Sequence, residues 1–353
     1  MQEIINLTKR FIKNQATGQE NVNKSILQAA DYLKLNGLEY DIHKNEGYYM
    51  ITSQIGKGEE TIILNGHLDV VEAETHQFNP IIENGNIVGR GSYDMLGACA
   101  VMLNVMKELK ERNISKKVIL MLVPTEETNG KQGTGYLVEK GIVGDFAICG
   151  EPTNLQISTM SKGVFRVRIT ALGKSSHSSR PWLGENAILK CFDIYHKLIK
   201  LPFISIENSR LGGSTANISF INGGVAMNVV PDEAYMDIDI RYVPEVHPED
   251  IIEQIKSIDE NFNMEQVRWG AAILTDNDNV HVQKLMKTIE RIQNKPARLT
   301  AQHGAADTKF FQNTGIPSIE FGPCGANHHS LNEYVTIQSL EEYKKILIDF
   351  IVN

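Results

Sequence analysis

Residues 61–65 read TIILN, 97–111 read GACAVMLNVMKELKE, 117–123 read KVILMLV and 146–149 read FAIC. The short unbroken apolar runs are what strands buried on both faces look like, and the long run between the first two has helical character. Strand and helix in alternation predict an α/β fold, a mostly parallel sheet flanked by helices. Upstream, residues 1–14 and 20–36 carry apolar residues at three- and four-residue spacing and read as amphipathic helices.

From about residue 162 the texture changes. GVFRVRITAL (163–172) alternates like a half-exposed strand, and GENAILKCFDIYHKLIK (184–200) is helical. TANISFING (215–223) and EAYMDIDIRYV (233–243) are strands, PEDIIEQIKSI (248–258) a helix and FNMEQVRWG (262–270) a closing strand. Strand–helix–strand–strand–helix–strand is the ferredoxin-like α+β pattern. After it, VQKLMKTIERIQ (282–293), TKFFQNTG and SIEFG resume the first texture. The expectation is a discontinuous first domain, 1–162 with 271–353, interrupted by an inserted domain, 163–270. Two domains in series is the competing arrangement.

Composition narrows the function. The 353 residues carry 43 acids against 35 bases, a net charge of −8, which argues against a nucleic-acid partner. No apolar run approaches a membrane span, and the N-terminus lacks a signal-peptide pattern. Cys99, Cys149, Cys191 and Cys324 are scattered without a CxxC pair. They read as reduced cysteines of a cytoplasmic protein with no membrane partner.

Polar residues collect where the apolar runs stop. His67 and Asp69 follow TIILN, Glu126 and Glu127 follow KVILMLVPT, and Glu151 follows FAIC. Asp94 lies in GRGSYD before the helical run, and His328 and His329 follow SIEF. Taken singly, an HxD step or a Glu-Glu pair is an ordinary surface feature. Repeated at the carboxyl edge of one parallel sheet, the usual ligand crevice, they make a dense negative cluster that needs cations. Histidine with carboxylates and no cysteine is donor chemistry for zinc, or for manganese or cobalt in its place. Asp69, two residues from His67 on extended chain, faces the same side and is expected to accept the imidazole's second N–H.

In order along the chain, GHLDVV, GRGSYDMLG, PTEETNG, GEPT and HHSLNEYV resemble the dinuclear zinc metallopeptidases of family 20. That family includes succinyl-diaminopimelate desuccinylase, acetylornithine deacetylase, aminoacylase and glutamate carboxypeptidase. The resemblance implies a zinc-exopeptidase-like domain with an inserted lid or dimerisation domain, two Zn2+ per subunit with Co2+ or Mn2+ as substitutes, and a homodimer. It implies that Asp94 bridges the ions, that His67 and Glu127 complete metal positions, and that Glu151 and His329 bind the second ion. His329 is chosen over His328 because His329-Ser-Leu-Asn-Glu matches the family's His-x-x-Asn-Glu. Glu126 would be the general base toward a metal-bridging water. His177, in GKSSHSSRPW, would reach the partner subunit's site and stabilise the oxyanion. Asn228 and Arg241 would contact substrate, the arginine through a bidentate fork to a carboxylate. The substrate implied is a small N-acyl amino acid or dipeptide. Two departures, Leu96 in DMLG and the tryptophan-free THQFNPII, are expected near the entrance. HGAADTKFF resembles the family's Gly-rich substrate loop and carries no assigned residue.

Other chemistries fail on particular positions. A phosphate loop ending in GKSS (173–176) needs glycine where Arg168 stands, and GKQGTG (130–135) lacks a strand feeding directly into a helix. Neither a GxSxG elbow nor HExxH occurs. Two classes remain: an amidohydrolase, and a non-catalytic binding or scaffold relative. Glu126, which the metals do not need, favours the enzyme.

Overall fold

The computed structural model describes residues 1–258 and 262–353. They fall into two compact units. One comprises Met1–Thr159, Thr275–Thr300 and Ala306–Asn353; the other comprises Met160–Leu274 and Ala301–Ala305.

The first unit is built on the sheet that the apolar runs predict. Lys117–Val123, Thr61–His67, Phe146–Cys149 and Ser318–Glu320 lie side by side and parallel. Antiparallel strands extend it: Tyr48–Ile55 and Asp41–Asn45 at one side, Ile157–Ser161 at the other. Successive residues of the central strands enter two different cores. Ile62, Leu64, Val118, Leu120, Leu122, Phe146 and Ile148 join one, while Ile63, Ile119, Met121, Val123, Ala147 and Cys149 join the other. That double burial is why these strands are continuously apolar rather than alternating. Against the larger core pack the helices Gln2–Ile12, Gln19–Leu35, Gly97–Lys110, Val280–Gln293 and Ile337–Val352, which carry many of its buried side chains. The smaller core takes residues of Tyr136–Glu139 and Thr308–Gln312.

A second, small sheet lies in the same unit. Its strands run in the order Gly325–Ala326, Tyr334–Thr336, Asn86–Val88, Ile81–Glu83, all antiparallel. By pairing Tyr334 with Val88, it sets the segment holding His329 beside the segment leading to Asp94.

The other unit is a four-stranded antiparallel sheet in the order Thr215–Gly223, Glu233–Tyr242, Gly163–Leu172, Phe262–Gly270. With helices Ala187–Leu198 and Pro248–Lys256 it has the ferredoxin-like succession. Phe165, Val167, Ile169 and Ala171 point into its core, and Arg166 and Arg168 point away, as a period of two requires. Asn186 caps the first helix by accepting the Ile188 and Leu189 N–H groups.

Candidate active site

Parallel strands deliver their carboxyl ends to one edge. His67 ends its strand opposite Val123, so Glu126 and Glu127 emerge just past the neighbouring strand. On the other side Asn65 pairs with Cys149, which brings Glu151 out beside the same histidine. Asp94 comes from the loop before helix Gly97–Lys110, next to the Asp94–Met95 cis peptide bond. His329 comes from the loop that the small sheet anchors.

Asp94 sits between the two histidines. Its Oδ1 is 3.2 Å from His67 Nε2, and its Oδ2 is 3.2 Å from His329 Nε2. Glu151 Oε2 lies 3.9 Å from His67 Nε2, and Glu127 Oε1 lies 3.1 Å from His329 Nε2. The five residues expected as ligands therefore converge, with ligand atoms of His67, Asp94 and Glu127 all within 4.8 Å of one another. Glu151 stands with His67 because their strands are neighbours, and Glu127 stands with His329 across Asp94.

Asp69 departs from expectation. His67 Nδ1 donates to the Asp69 backbone carbonyl at 2.9 Å, while the nearer carboxylate oxygen is 3.6 Å away. The carboxylate instead accepts two backbone N–H groups, from Glu126 at 3.2 Å and Glu127 at 3.0 Å. The main chain of Asp69 orients the imidazole, and its side chain holds the turn carrying both glutamates. A carbonyl only accepts, so Nδ1 keeps its proton and Nε2 is the nitrogen offered to the carboxylates.

The electrostatics of the cluster follow from burial and from its histidine–carboxylate contacts. Burial pushes the Glu126 carboxyl up to about 8 and raises Glu127 and Glu151 as well. Burial opposes charging His67, but its contacts with Asp69 and Asp94 outweigh that and raise it. Asp94 and Glu127 hold His329 up at about 10. For Asp94 burial is again outweighed, and its hydrogen bonds with His329 and His67 keep it well below the usual carboxylate range. Around Asp94, carboxylate oxygens and imidazole nitrogens thus face one another. A divalent cation fits there: two donors each about 2.0–2.2 Å from one tetrahedral zinc lie roughly 3.3–3.6 Å apart, close to the separations around Asp94.

Behind the glutamates, the loop left without a role supports the site. Asp307 is buried and accepts from Thr134 Oγ1 at 2.6 Å; that hydroxyl accepts in turn from Asn65 Nδ2 at 2.9 Å. Lys309 Nζ, also buried, is 3.7 Å from Asp307. A Cβ on Gly130, at φ +72°, would collide with Asp307 Oδ1, which explains the glycine closing PTEETNG. Leu96, expected near an entrance, is instead buried in the larger core; of THQFNPII, Phe78 is buried there while His76, Asn79, Ile81 and Ile82 are exposed. Sequence reading assigned no role to Glu333, whose buried carboxylate binds the loop before Asp94. Its place as the last residue of His329-Ser-Leu-Asn-Glu was the available signal.

The other expected residues lie in the second unit. His177 is exposed; Nδ1 accepts the Ser179 N–H at 3.2 Å and lies 2.8 Å from Ser179 Oγ. Its segment pairs with the one bearing Asn228, which is also exposed: His177 bridges to Val229, and Ser178 N–H donates to the Asn228 carbonyl at 2.9 Å. Arg241, half-buried on Glu233–Tyr242, donates through Nε to Asp239 Oδ1 at 2.6 Å, and Arg166 Nε donates to Asp239 Oδ2 at 2.7 Å.

An open α/β sheet with carboxylates and histidines packed at the carboxyl edge defines a hydrolytic enzyme of the metallopeptidase class. Residues 63–353 match peptidase family M20/M25/M40, and the chain belongs to that family. It is 30% identical to the probable succinyl-diaminopimelate desuccinylase of Staphylococcus aureus strain N315, over 89% of each chain. It is 27% identical to the N-formyl-4-amino-5-aminomethyl-2-methylpyrimidine deformylase of Bacillus subtilis strain 168, over 100% of this chain and 94% of that one. In fold it matches an M20 family metallo-carboxypeptidase of Sulfolobus solfataricus with a TM-score of 0.83 at 19% identity, over 99% of both chains. Among the described residues, no helix is long and apolar enough to cross a membrane.

Proposed function

We propose that this chain is a dinuclear-zinc hydrolase that cleaves the amide bond of a small N-acyl amino acid, of the succinyl-diaminopimelate desuccinylase or acetylornithine deacetylase type. The observation carrying this reading is Asp94, whose two oxygens face two imidazole nitrogens at 3.2 Å each, with Glu151 and Glu127 at the two ends. His67, Asp94 and Glu151 would hold one ion, and Asp94, Glu127 and His329 the other, with Co2+ or Mn2+ as substitutes. When bound, the ions supply Lewis-acid polarisation of the amide carbonyl and an acidified water.

The remaining steps belong to the chain's own groups. Glu126 takes a proton from the attacking water on its carboxylate and returns it to the departing amine nitrogen. Asp69 fixes the turn on which Glu126 and Glu127 stand, so that adjacent glutamates serve different ends. Arg241 binds the substrate carboxylate through the part of its guanidinium that Asp239 leaves open, and Asn228 adds a polar contact. His177, exposed and oriented by Ser179, donates to the oxyanion in a partner subunit of a homodimer. Edge strand Thr215–Gly223 and helix Ala187–Leu198 support that dimer, since they expose Phe220, Ile221, Leu189 and Phe192. The free, mostly buried cysteines suit a cytoplasmic enzyme.

The desuccinylase relative favours the acyl amino acid group, while the likeness to a metallo-carboxypeptidase keeps a dipeptidase or carboxypeptidase as the second reading. Each substrate class presents a free carboxylate beside an amide. Amine release from N-succinyl-diaminopimelate, N-acetylornithine and a dipeptide set, measured with zinc-loaded enzyme, separates them. The first reading expects kcat/KM for an acyl amino acid to exceed that of every dipeptide. The reverse order establishes the second, and no amine from any of them contradicts both.

A further inference from the structure

Glu333 lies four residues beyond His329 and has only 1% of its surface exposed. Both carboxylate oxygens are taken up by the segment that ends in Asp94. Oε2 accepts from Arg90 Nη1 at 2.6 Å and from the Gly91 N–H at 2.9 Å. Oε1 accepts the N–H groups of Tyr93 and Asp94, each at 3.0 Å. The main chain joins in: Gly89 N–H donates to the Glu333 carbonyl at 2.8 Å, and Arg90 Nη2 to the Ser330 carbonyl at 3.2 Å. Gly91 adopts φ +78°, which turns successive amides inward, and a Cβ there would collide with Val70.

A buried carboxylate is costly unless every lone pair is used, and an apolar residue would fill the same space more cheaply. Here the cost is met entirely by the loop carrying Asp94, from a residue on the loop carrying His329. We propose that Glu333 is a positioning residue that locks these two loops together, fixing Asp94 and His329 at the separation that metal binding requires. The inference rests on Asp94 and His329 being ligands. Charge-assisted hydrogen bonds from backbone N–H groups are short and directional, so this carboxylate controls the height and rotation of the Asp94 peptide itself. Groups standing behind a metal ligand in this way typically set metal affinity by about 10- to 100-fold.

Glu333→Gln keeps the volume but turns an NH2 group toward either the Arg90 and Gly91 donors or the Tyr93 and Asp94 donors. The test titrates Zn2+ into metal-free protein against a chromophoric chelator, with circular dichroism and a melting curve of the metal-free form. The proposal expects a folded E333Q with Kd raised about tenfold or more. A purely structural role lowers the metal-free melting midpoint and leaves the Kd of folded protein within that limit, which overturns the proposal. If E333Q does not fold, Arg90→Lys decides by the same criterion, since it keeps a cation beside Glu333 but loses the second contact to Ser330. Asp94→Asn is measured alongside: wild-type affinity there sinks the ligand reading itself, whereas weak binding there with wild-type affinity in the deciding variant sinks only the lock.

Discussion

The Asp94 carboxylate turns its two oxygens toward different histidines, which is the arrangement the proposed pair of ions requires. Asp69 divides its work in another way, giving a main-chain oxygen to His67 and a side chain to the Glu126–Glu127 turn. In the second unit, Arg241 is held by Asp239 along its Nε edge, and Asp239 is held by Arg166. Burial disfavours the Asp239 charge, but Arg241 and Arg166 outweigh it and lower its pKa. Nη1 of Arg241 has no hydrogen-bond partner among the described residues, so it is free to meet an anion. Arg241→Ala should remove charge-assisted bonds worth roughly 1.5–3 kcal/mol, raising KM about 10- to 150-fold while metal content stays at the wild-type level. An unchanged KM would contradict the substrate role, and a parallel loss of metal would point to a folding defect.

At the scale of elements, legibility followed length and burial. Strands such as Lys117–Val123 are buried on both faces and announce themselves as apolar runs. Asp41–Asn45, reading DIHKN, is largely exposed and carries no such run, so nothing in its composition marks a strand. The small sheet is built from strands of two or three residues, too short for any period to register. Yet that sheet brings the His329 loop to Asp94. The residues proposed as ligands were legible as a set because most follow directly on a readable strand. Which of them stand side by side was not, since that depends on strand order: Thr61–His67 lies between Lys117–Val123 and Phe146–Cys149. The pairing of Glu333 with Arg90 escaped notice for a similar reason: Glu333 stands in a readable motif, but a partner 243 positions away leaves no local trace. Leu96 was misplaced because a departure from a motif says nothing about which way the side chain points.

For the whole molecule, the acidity of the sequence has a local source. Several of the 43 acids converge on one edge of one sheet, where burial raises the pKa values of Glu126, Glu127 and Glu151. The proposed dimer is a property at this scale too. Sedimentation equilibrium at micromolar concentration should give twice the 39.5 kDa chain mass, and Phe220→Glu should return it to the monomer. A monomeric wild type would contradict the interface and, with it, the donation of His177 in trans.

In the proposed mechanism Glu126 moves the proton while its neighbours hold the metal. Zinc content and amine release, measured on the same preparations of wild type and Glu126→Ala, test it most directly. Two zinc ions per chain in both proteins, with turnover falling at least about 10²- to 10⁴-fold in the variant, is the outcome this account predicts. Full activity in Glu126→Ala, or loss of its metal along with its activity, would contradict it.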